Sequence, residues 1–495
     1  MTGNETPATI TATLTATLTA TTSSTAEVPD QNANRSTTPG SERFREYIAS
    51  GWAPRDEVLP AVREQAPYAA IRRALLSDAY PGTRIVIPAG ALKQRSNDTE
   101  YPFRAHSAFT WLTGWGSDSE PDAVLVFEPR ASGHDATLYF RERAGRDSDE
   151  FYANSSIGEF WIGPRPSLVQ VAAALRLATR DLSELSPEDA AVAAAPLDTD
   201  LARNLSELRL VKDEWEIGQM RQAIAATALG FADIVRVLPS IAGNHRGERL
   251  VEGAFSSRAR LEGNGVGYDT IAASGAHACI LHWTDNDGTV NNGDLILIDA
   301  GVELDSYYTA DITRTIPVSG TFSPVQRDVY EAVRAAADAA FAIVKPGIRF
   351  RDIHAAAMAV IAEKTVAWGM LPVSLEEAIL PDNQHHRRYM VHGTSHHLGL
   401  DVHDCSQARR EMYMDGIVEP GMVFTIEPGL YFQPDDLTVP TEFRGIGVRI
   451  EDDILVTADG AENLSAGIPR TADEVEAWAR PTTAERAAAL KKKRR

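Results

Sequence analysis

Acidic residues inside or at the end of apolar runs constrain the fold of this chain more than any other feature. Asp299 closes the run LILID, and Glu427 lies within the run MVFTIEPG. Glu451 stands between VRI and ILV, and Asp311 follows Asp299 by twelve positions at the edge of a β-like stretch. A carboxylate in an apolar strand is costly unless it is paired or bound to a metal. The pattern therefore predicts apolar strands that each present a carboxylate, as a metal site requires.

The spacing of these acids also allows ordinary structural roles. Asp299 could cap a turn, because the letters DAG fit one. Glu303 and Asp305 lie in the turn between the two aspartates, and we expect them to be more exposed. Asp452 and Asp453 could be plain surface charge. The acids enclosed by apolar residues remain the candidates for metal binding.

Four of the 12 histidines occur in the stretch VHGTSHHLGLDVHD, residues 391–404. His392 and His396 are four apart, as in the helical histidine pair of zinc proteases. However, Gly393 replaces the glutamate of that motif and Gly399 follows, which disfavours a helix. We therefore predict a loop or strand, from which one histidine joins the distant carboxylates. Oxygen ligands with one imidazole suit manganese, cobalt, iron or zinc.

Charge and cysteine content limit the class of protein. The net charge of -21 argues against nucleic acid or an anionic membrane as the main partner. The two cysteines, Cys279 and Cys405, do not form a disulfide framework and favour a reducing compartment. No uncharged apolar run reaches the roughly 18 residues of a membrane span, and the N-terminus lacks a secretory pattern. We therefore predict a cytoplasmic protein.

The length of 495 residues predicts two domains, which here lie between two tails. Residues 1–40 are rich in Thr and Ala and are predicted to be disordered. Residues 41–205 alternate short apolar runs with helix-like stretches, which predicts an α/β domain. Residues 206–475 form the second domain, and the junction LSELRLV is predicted to be a strand before a long amphipathic helix. Residues 476–495 are predicted to be a helix and a basic tail.

Several motifs, in their order along the chain, resemble those of one family. DAG…DITRT, HGTSHHLGLDVHD, TIEPGLY and GIGVRIEDD resemble the aminopeptidase P and prolidase branch of the pita-bread metallopeptidases. The upstream ILHWTDN adds a fifth motif, and YPFRAHSAFTWLTGW resembles part of that family's N-terminal domain. The resemblance implies an α+β fold. In it, an N-terminal α/β domain of the creatinase/prolidase type precedes a pita-bread catalytic domain.

By matching motif, the resemblance implies a site for two divalent metal ions. Its five ligands would be Asp299, Asp311, His396, Glu427 and Glu451. Manganese is the first expectation, with cobalt and zinc as alternatives. A water or hydroxide between the two metals would be the nucleophile, and Glu427 would also receive its proton.

The resemblance also implies roles for residues around the metals. His282 and His392 would line the substrate site and help proton transfer to the leaving group. His403 would face the substrate carbonyl, and Tyr431 and Arg449 would orient Asp299. The interval from Asp299 to Asp311 is one residue longer than the common spacing of the family. We expect the turn ELDSYYT to absorb this residue, because an insertion within a strand would reverse the face of the second aspartate.

Some neighbouring residues have structural explanations. His282 could instead be packed in the core, and His397 is expected to be structural. His385 and His386 lie in PDNQHHRRY and are expected at the surface. Cys405 has no nucleophile setting and is expected to be a buried small residue.

The implied activity is that of a metallo-aminopeptidase, which releases the N-terminal residue from peptides with proline at the second position. The alternatives are an Xaa-Pro dipeptidase (prolidase) and a metal-free binding module of the same fold. The resemblance also implies a homo-oligomer, either a dimer or a tetramer, assembled through the N-terminal domain. Nucleic acid and membrane are not expected as partners.

Overall fold

The computed structural model describes residues 39, 41–55, 57–97 and 99–480. Apart from residue 39, the segment predicted to be disordered lies outside the described residues, and so does the basic C-terminal tail. The described residues form two compact units. The smaller unit consists of the described residues up to Trp52 together with Ala144–Gly163. The larger unit consists of Ala53–Arg143 and the residues from Pro164 onward.

Helices and strands alternate along the described residues. The α-helices are α1 (Glu42–Ala49), α2 (Ala66–Ala79), α3 (Ser107–Thr113), α4 (Asp149–Ala153), α5 (Glu159–Ile162), α6 (Leu168–Leu175), α7 (Pro187–Ala193), α8 (Thr199–Leu208), α9 (Glu214–Ile241), α10 (Gly247–Glu262), α11 (Pro324–Ile343), α12 (Phe350–Ala367), α13 (Leu375–Ala378) and α14 (Ala472–Ala479). The strands are β1 (Ile85–Pro88), β2 (Gln94–Ser96), β3 (Thr99–Glu100), β4 (Val124–Pro129), β5 (His134–Phe140), β6 (Ala178–Asp181), β7 (Gly265–Val266), β8 (Ile271–Ser274), β9 (Leu295–Ala300), β10 (Val302–Glu303), β11 (Ile312–Pro317), β12 (Val423–Ile426), β13 (Gly429–Tyr431), β14 (Gly447–Arg449), β15 (Asp452–Val456) and β16 (Ala461–Asn463). Short 3-10 helices cover Leu182–Glu184, Gly275–Cys279, His385–Arg388 and Thr441–Phe443.

Aromatic rings join the helices of the smaller unit. Phe44 of α1 meets Tyr152 of α4 edge to face, with ring centroids 5.8 Å apart. Phe151 of α4 meets Trp52 at 5.6 Å and Phe160 of α5 at 6.0 Å in the same geometry. Edge-to-face packing of this kind stabilises small apolar clusters.

A four-stranded sheet with the order β1–β4–β5–β6 organises the N-terminal part of the larger unit. β1, β4 and β5 pair antiparallel, whereas β5 and β6 pair parallel across the crossover that contains α6. This arrangement is the predicted α/β type. Its core includes Phe109 and Phe140 and continues to Tyr308 and Leu400 in the second part of the unit. The domain boundary at residue 205 stays a prediction.

The predicted boundary strand LSELRLV is wrong. Its first four residues complete α8, which begins after the N-cap residue Asp198. Val211 forms only an isolated bridge, with Met422. Leu205 and Leu208 recur at helical spacing and pack into the core, so helix formation prevails over the apolar run.

The long helix α9 follows as predicted, and a capping box of Asp213 and Glu216 starts it. Among the described helices, α9 alone is long and apolar enough to pass a composition test for a membrane span. However, 50% of its most apolar window is buried within the protein. Phe231, Ile234 and Leu238 belong to the main core cluster. The composition of α9 is therefore explained by its place in that core.

The strands that carry the acidic residues form small antiparallel sheets in the second part of the larger unit. Their orders are β11–β9–β8, β12–β15–β16 and β13–β14. Helix α9 packs with α10, and α11 packs with α12. Residues of these helices and strands form one continuous core, which holds the strand ends in place.

Candidate metal centre

Asp299 and Asp311 are brought together by the antiparallel pairing of β9 with β11. The register places Thr313 opposite Asp299, and Asp311 directly precedes β11. The hydroxyl oxygen of Tyr268 lies 2.7 Å from Oδ1 of Asp299 and 2.5 Å from Oδ1 of Asp311. Both carboxylates therefore face the same side of the hairpin. Tyr307, in the turn between the two aspartates, adopts a φ of 69°, and the assignment of the extra residue to this turn stays a prediction.

Glu427 and Glu451 stand at the junctions between short strands. Glu427 follows the last residue of β12, and Glu451 lies between β14 and β15. The hydroxyl of Thr313 donates to Oε2 of Glu451 at 2.7 Å. The amide of Glu451 in turn donates to the carbonyl of Thr313 at 3.1 Å. These two bonds tie Glu451 to β11, next to Asp311.

His396 comes from an irregular segment, as the glycines of residues 391–404 predicted. Its backbone pairs with Thr425 of β12 through an amide-to-carbonyl bond of 2.9 Å. Its Nδ1 lies 3.1 Å from the carbonyl oxygen of His397, and because a carbonyl only accepts, Nδ1 carries the proton. Nε2 is therefore free to bind a metal. It lies 3.3 Å from Oδ2 of Asp311 and 3.5 Å from Oε1 of Glu427.

The five sequence-predicted ligand candidates line one cavity of about 680 Å³. Donor atoms of Asp311, His396 and Glu451 all lie within 4.8 Å of one another. Asp299 and Glu427 complete the group through the contacts of Tyr268 and His396. The structure thus assembles the predicted set from β9, β11, the end of β12, the β14–β15 junction and the histidine segment.

The electrostatics of this group fit divalent cations. Burial, and after it the charge of Asp299, raises the pKa of Asp311 well above its usual range. Burial and the charge of Asp311 raise the pKa of Glu451 in the same way, and burial raises the pKa of Glu427 to about 7. Crowded, buried carboxylates of this kind are stabilised by bound cations. The oxygen-rich donor set with one imidazole suits ions such as manganese, cobalt or zinc.

Arg449 and Tyr431 lie beside the carboxylates, where the sequence comparison with the family placed them. Nη2 of Arg449 is 2.5 Å from Oδ2 of Asp299, and Nη1 donates to the hydroxyl of Tyr431 at 3.2 Å. Tyr431 thus reaches Asp299 through Arg449. The same hydroxyl lies 2.7 Å from Nε2 of His392. A continuous chain of hydrogen bonds therefore connects His392 to Asp299.

Three further histidines line the cavity. Burial, and next the neighbouring Arg449, lowers the pKa of His392 to about 3. Burial, and next the neighbouring His396, lowers the pKa of His403 to about 4, and the rings of His396 and His403 are 4.3 Å apart. His282 is exposed at the cavity wall, so it is not the packed core histidine of the alternative interpretation. All three side chains line the space that a bound molecule would occupy.

The alternative of plain surface charge does not hold for Asp452 and Asp453. Asp452 is buried, and its Oδ1 accepts from Nη2 of Arg314 at 2.7 Å. Asp453 is fully buried and accepts the amide of Asp311 at 3.2 Å, and burial raises its pKa well above the usual range. Both acids have partners that are distant in sequence, so the local pattern EDD does not reveal them.

Two more exposure predictions are wrong. Glu303 is buried, because it accepts from Nε of Arg104 at 2.9 Å and from Nδ2 of Asn264 at 2.8 Å. His386 is buried in a 3-10 helix, with Nδ1 3.2 Å from the carbonyl of Ala378. Asp305, two residues after Glu303, is exposed, as expected.

The structural interpretations of His397 and Cys405 agree with the structure. The ring of His397 is buried and stacks on Phe350 with centroids 4.7 Å apart. The thiol of Cys405 is buried, and burial raises its pKa. By contrast, sequence reasoning missed Tyr268, which contacts both aspartates. No motif marks Tyr268, since it lies between β7 and β8 and its partners are 31 and 43 positions away in the chain.

The strand-borne carboxylates, the single imidazole and the open cavity define a metallopeptidase active site. Residues 218–458 match the sequence model of metallopeptidase family M24, and residues 68–192 match that of the aminopeptidase P N-terminal domain. Xaa-Pro aminopeptidase 2 of Streptomyces coelicolor is 52% identical over 459 residues, which cover 88% of this chain and 96% of that protein. The Xaa-Pro aminopeptidase of Escherichia coli strain K12 is 34% identical over 82% of this chain and 96% of its own.

Solved structures agree with these sequence comparisons. Proline aminopeptidase P II from Yersinia pestis has a TM-score of 0.72 at 33% identity, covering 84% of this chain and 99% of its own. Zinc-substituted E. coli aminopeptidase P in complex with product has a TM-score of 0.72 at 31% identity, covering 85% of this chain and 100% of its own. The chain belongs to metallopeptidase family M24, in its aminopeptidase P branch. The predicted fold class and the predicted enzyme class are confirmed.

Proposed function

We propose that this metallo-aminopeptidase cleaves the peptide bond before a proline at the second position and releases the N-terminal residue. One observation carries the proposal. The cavity that collects Asp311, His396 and Glu451 also collects His282, His392 and His403. Ligand candidates and groups able to contact a peptide thus share one open space. The Streptomyces and E. coli relatives are both named Xaa-Pro aminopeptidases.

We expect the five ligand candidates to hold two divalent cations, with manganese as the first choice and cobalt or zinc as alternatives. When bound, such cations polarise the scissile carbonyl and lower the pKa of the attacking water. The support for their binding here is the donor set itself. The orientation of His396, with Nδ1 on a carbonyl and Nε2 toward the acids, adds to it.

The protein side chains hold and transfer protons around that cavity. Oε2 of Glu427 lies 3.5 Å from Nδ1 of His392, so the carboxylate that would take a proton from water lies beside this imidazole. Nδ1 of His392 donates to the carbonyl of Gly393 at 2.7 Å, and the hydroxyl of Tyr431 donates to Nε2. This pattern fixes the tautomer of His392. His282 and His403 lie where they can contact the peptide and its leaving group.

The test compares substrates and metals on the purified full chain. The chain is treated with a chelator, then supplied with manganese, cobalt or zinc, and assayed on an Xaa-Pro-Xaa tripeptide, an Xaa-Pro dipeptide and a tripeptide without proline. We expect cleavage of the Xaa-Pro-Xaa tripeptide. Cleavage of the dipeptide alone would instead identify an Xaa-Pro dipeptidase. Lack of turnover with every metal would contradict the proposal and favour a metal-free binding module.

We further propose that the protein is a cytoplasmic homo-oligomer, either a dimer or a tetramer. Its free cysteines are both buried, which suits a reducing compartment. Phe160, Trp161 and Ile162 are 60%, 56% and 54% exposed, and a contiguous exposed apolar segment of this kind suits a subunit contact. Sedimentation equilibrium measures the assembly directly, and a monomer at all concentrations would contradict it. Fractionation of cells tests the compartment.

A further inference from the structure

A fully buried carboxylate, Glu248 on α10, holds one segment of the active-site wall. Its Oε1 accepts the amide of Ser274 at 2.7 Å and Nδ1–H of His277 at 2.9 Å. Its Oε2 accepts Nε1–H of Trp283 at 2.8 Å and the amide of Gly288 at 2.7 Å. The side chain has no exposed surface. Four donors therefore replace the water that this carboxylate loses on burial.

All four donors belong to residues 274–288, which also carry His282. The segment begins with a 3-10 helix over Gly275–Cys279, and residues 283–287 have no regular secondary structure. His277 stacks on Trp283 with ring centroids 3.9 Å apart. A segment without a continuous hydrogen-bond ladder depends on such anchors for a single conformation.

The imidazole of His282 depends on this segment for its position. Its side chain is exposed and lines the cavity together with Leu281 and Thr284. Within the described part of the chain, no hydrogen bond from a side chain reaches the His282 ring. The location of the ring is therefore set by the backbone on either side of it. That backbone is held by Glu248 at Trp283 and Gly288 on one side and at His277 on the other.

We propose that Glu248 is a positioning residue that sets the location of His282 in the substrate site. The inference rests on the proposed function, because His282 matters only if the cavity binds a peptide. The carboxylate contacts neither the cavity lining nor the metal ligand candidates through its hydrogen bonds. It acts by holding the segment that carries the histidine. A displacement of about 1 Å at a substrate-contacting group can lower a rate by about 100-fold.

The packing of Gly288 shows how closely the segment lies against the carboxylate. A Cβ atom added at Gly288 would lie 2.6 Å from Oε2 of Glu248. Gly288→Ala therefore displaces the carboxylate without changing it chemically. Trp283→Phe removes a single donor and leaves the other three in place.

The decisive experiment is a double-mutant cycle between Glu248 and His282. Glu248→Gln replaces one oxygen by an NH2 group that faces two N–H donors, so two hydrogen bonds are lost. We expect kcat/KM on an Xaa-Pro-Xaa peptide to fall by about 10- to 100-fold, with metal content unchanged. In a His282→Ala background, Glu248→Gln should cause no further loss. Glu252→Gln, on the same helix and partly exposed, is the matched control with full activity.

Further variants guard against a misfolded Glu248→Gln protein. Gly288→Ala and Trp283→Phe should each lower kcat/KM, and each loss should again vanish in the His282→Ala background. Equal losses in both backgrounds would show that Glu248 does not act through His282 and would overturn the proposal. Full activity of Glu248→Gln, or of His282→Ala, would also overturn it.

A second readout separates this inference from the proposed function. In protein labelled with 13C-histidine, the His282 resonance is identified by its loss in His282→Ala. Glu248→Gln should shift or broaden that resonance, even if no Xaa-Pro substrate is cleaved. An unchanged His282 resonance contradicts the inference, whereas an inactive wild type with a shifted resonance contradicts only the proposed function.

Discussion

Arg449 and Asp299 form a buried ion pair, with Nη2 of the guanidinium 2.5 Å from Oδ2 of the carboxylate, although 150 positions separate them in the chain. Nε of Arg449 also donates a hydrogen bond to Oγ1 of Thr313 at 3.1 Å. The guanidinium thus joins β9, β11 and β14 at the wall of the cavity. Its planar donors fix Asp299 with one oxygen toward Tyr268 and the other away from it.

Replacement of this guanidinium should impair catalysis more than folding. In Arg449→Lys, a single ammonium cannot contact Asp299, Tyr431 and Thr313 at once. We expect kcat/KM to fall by about 10- to 100-fold, as for other residues that orient a metal ligand. Steady-state kinetics with metal analysis measures the effect. Arg410→Lys, at an exposed arginine, is the control and should leave kcat/KM and metal content unchanged.

Removal of one ligand candidate should abolish turnover while the fold persists. Glu427→Gln removes a charged oxygen, and His396→Ala removes the imidazole whose Nε2 lies 3.3 Å from Asp311 and 3.5 Å from Glu427. We expect both variants to lose activity and to keep the circular-dichroism spectrum of the wild type. Glu411→Gln and His245→Ala, at exposed positions, are the matched controls. A variant with a near-normal rate and full metal content would show that the substituted residue is not a metal ligand.

Divalent cations should stabilise the protein as well as activate it. Burial raises the pKa of Asp311 and of Glu451, and next to burial the charge of Asp299 acts on Asp311 and that of Asp311 acts on Glu451. Bound cations relieve that repulsion. At free metal 100-fold above Kd, the free energy of unfolding should rise by about 2.7 kcal/mol. Denaturant unfolding of chelator-treated and manganese-loaded protein measures the difference. The increase in unfolding free energy on manganese loading should be smaller in His396→Ala than in the wild type. An equal increase in wild type and variant would show that the metal binds elsewhere.

The buried pair of Lys212 and Asp404 should matter for stability. Both side chains are 1% exposed, and Nζ lies 3.1 Å from Oδ2. Lys212→Met removes one of two cations that pair with Asp404, and because Arg209 keeps its contact, the loss should stay at or below the roughly 3–5 kcal/mol of unfolding free energy typical of a broken buried pair. Urea denaturation tests this value. Arg221→Met breaks an exposed pair with Glu462 and should cost roughly 1 kcal/mol or less.

His354 should make the fold less stable in acid. Burial, and next the neighbouring Arg387, lowers its pKa from 6.5 to about 4. Between these values the unfolded chain binds more protons at this side chain than the folded chain does. The free energy of unfolding therefore decreases as the pH falls through this window. Nδ1 of His354 lies 2.8 Å from the hydroxyl of Thr394, a contact that a glutamine can keep.

Unfolding of wild type and His354→Gln across this pH window tests the assignment. We expect a shallower decrease in the variant, because it no longer gains a proton on unfolding. His245→Gln, at an exposed histidine, serves as the control and should follow the wild type. Parallel curves for wild type and His354→Gln would show that His354 does not contribute to the acid response.

Local sequence predicted much of the candidate site because several of its residues stand out from their neighbours. Asp299, Glu427 and Glu451 interrupt or end apolar runs, and an acid in such a run is costly without a partner. The glycines around His392 and His396 likewise predicted an irregular segment, which the structure contains. The motif order, rather than any single residue, identified the family.

The wrong exposure predictions mostly concern acids whose partners lie far away in the chain. Glu303 pairs with Arg104 across 199 positions, and Asp452 pairs with Arg314 across 138. Nothing in the neighbouring letters separates such acids from exposed ones. The strand predicted at LSELRLV failed for a related reason, since an apolar run of that length suits a helix as well as a strand.

By itself, the sequence determined which strands carry acids, where the chain cannot be helical and which family the motifs belong to. Those features follow from local patterns and residue types. Only the tertiary structure decided that Tyr268 joins Asp299 to Asp311 and that Glu248 holds the segment with His282. The free energy of a buried polar side chain depends on the partners that the fold brings to it. For Tyr268 and Glu248, all of those partners lie at least 26 positions away in the chain.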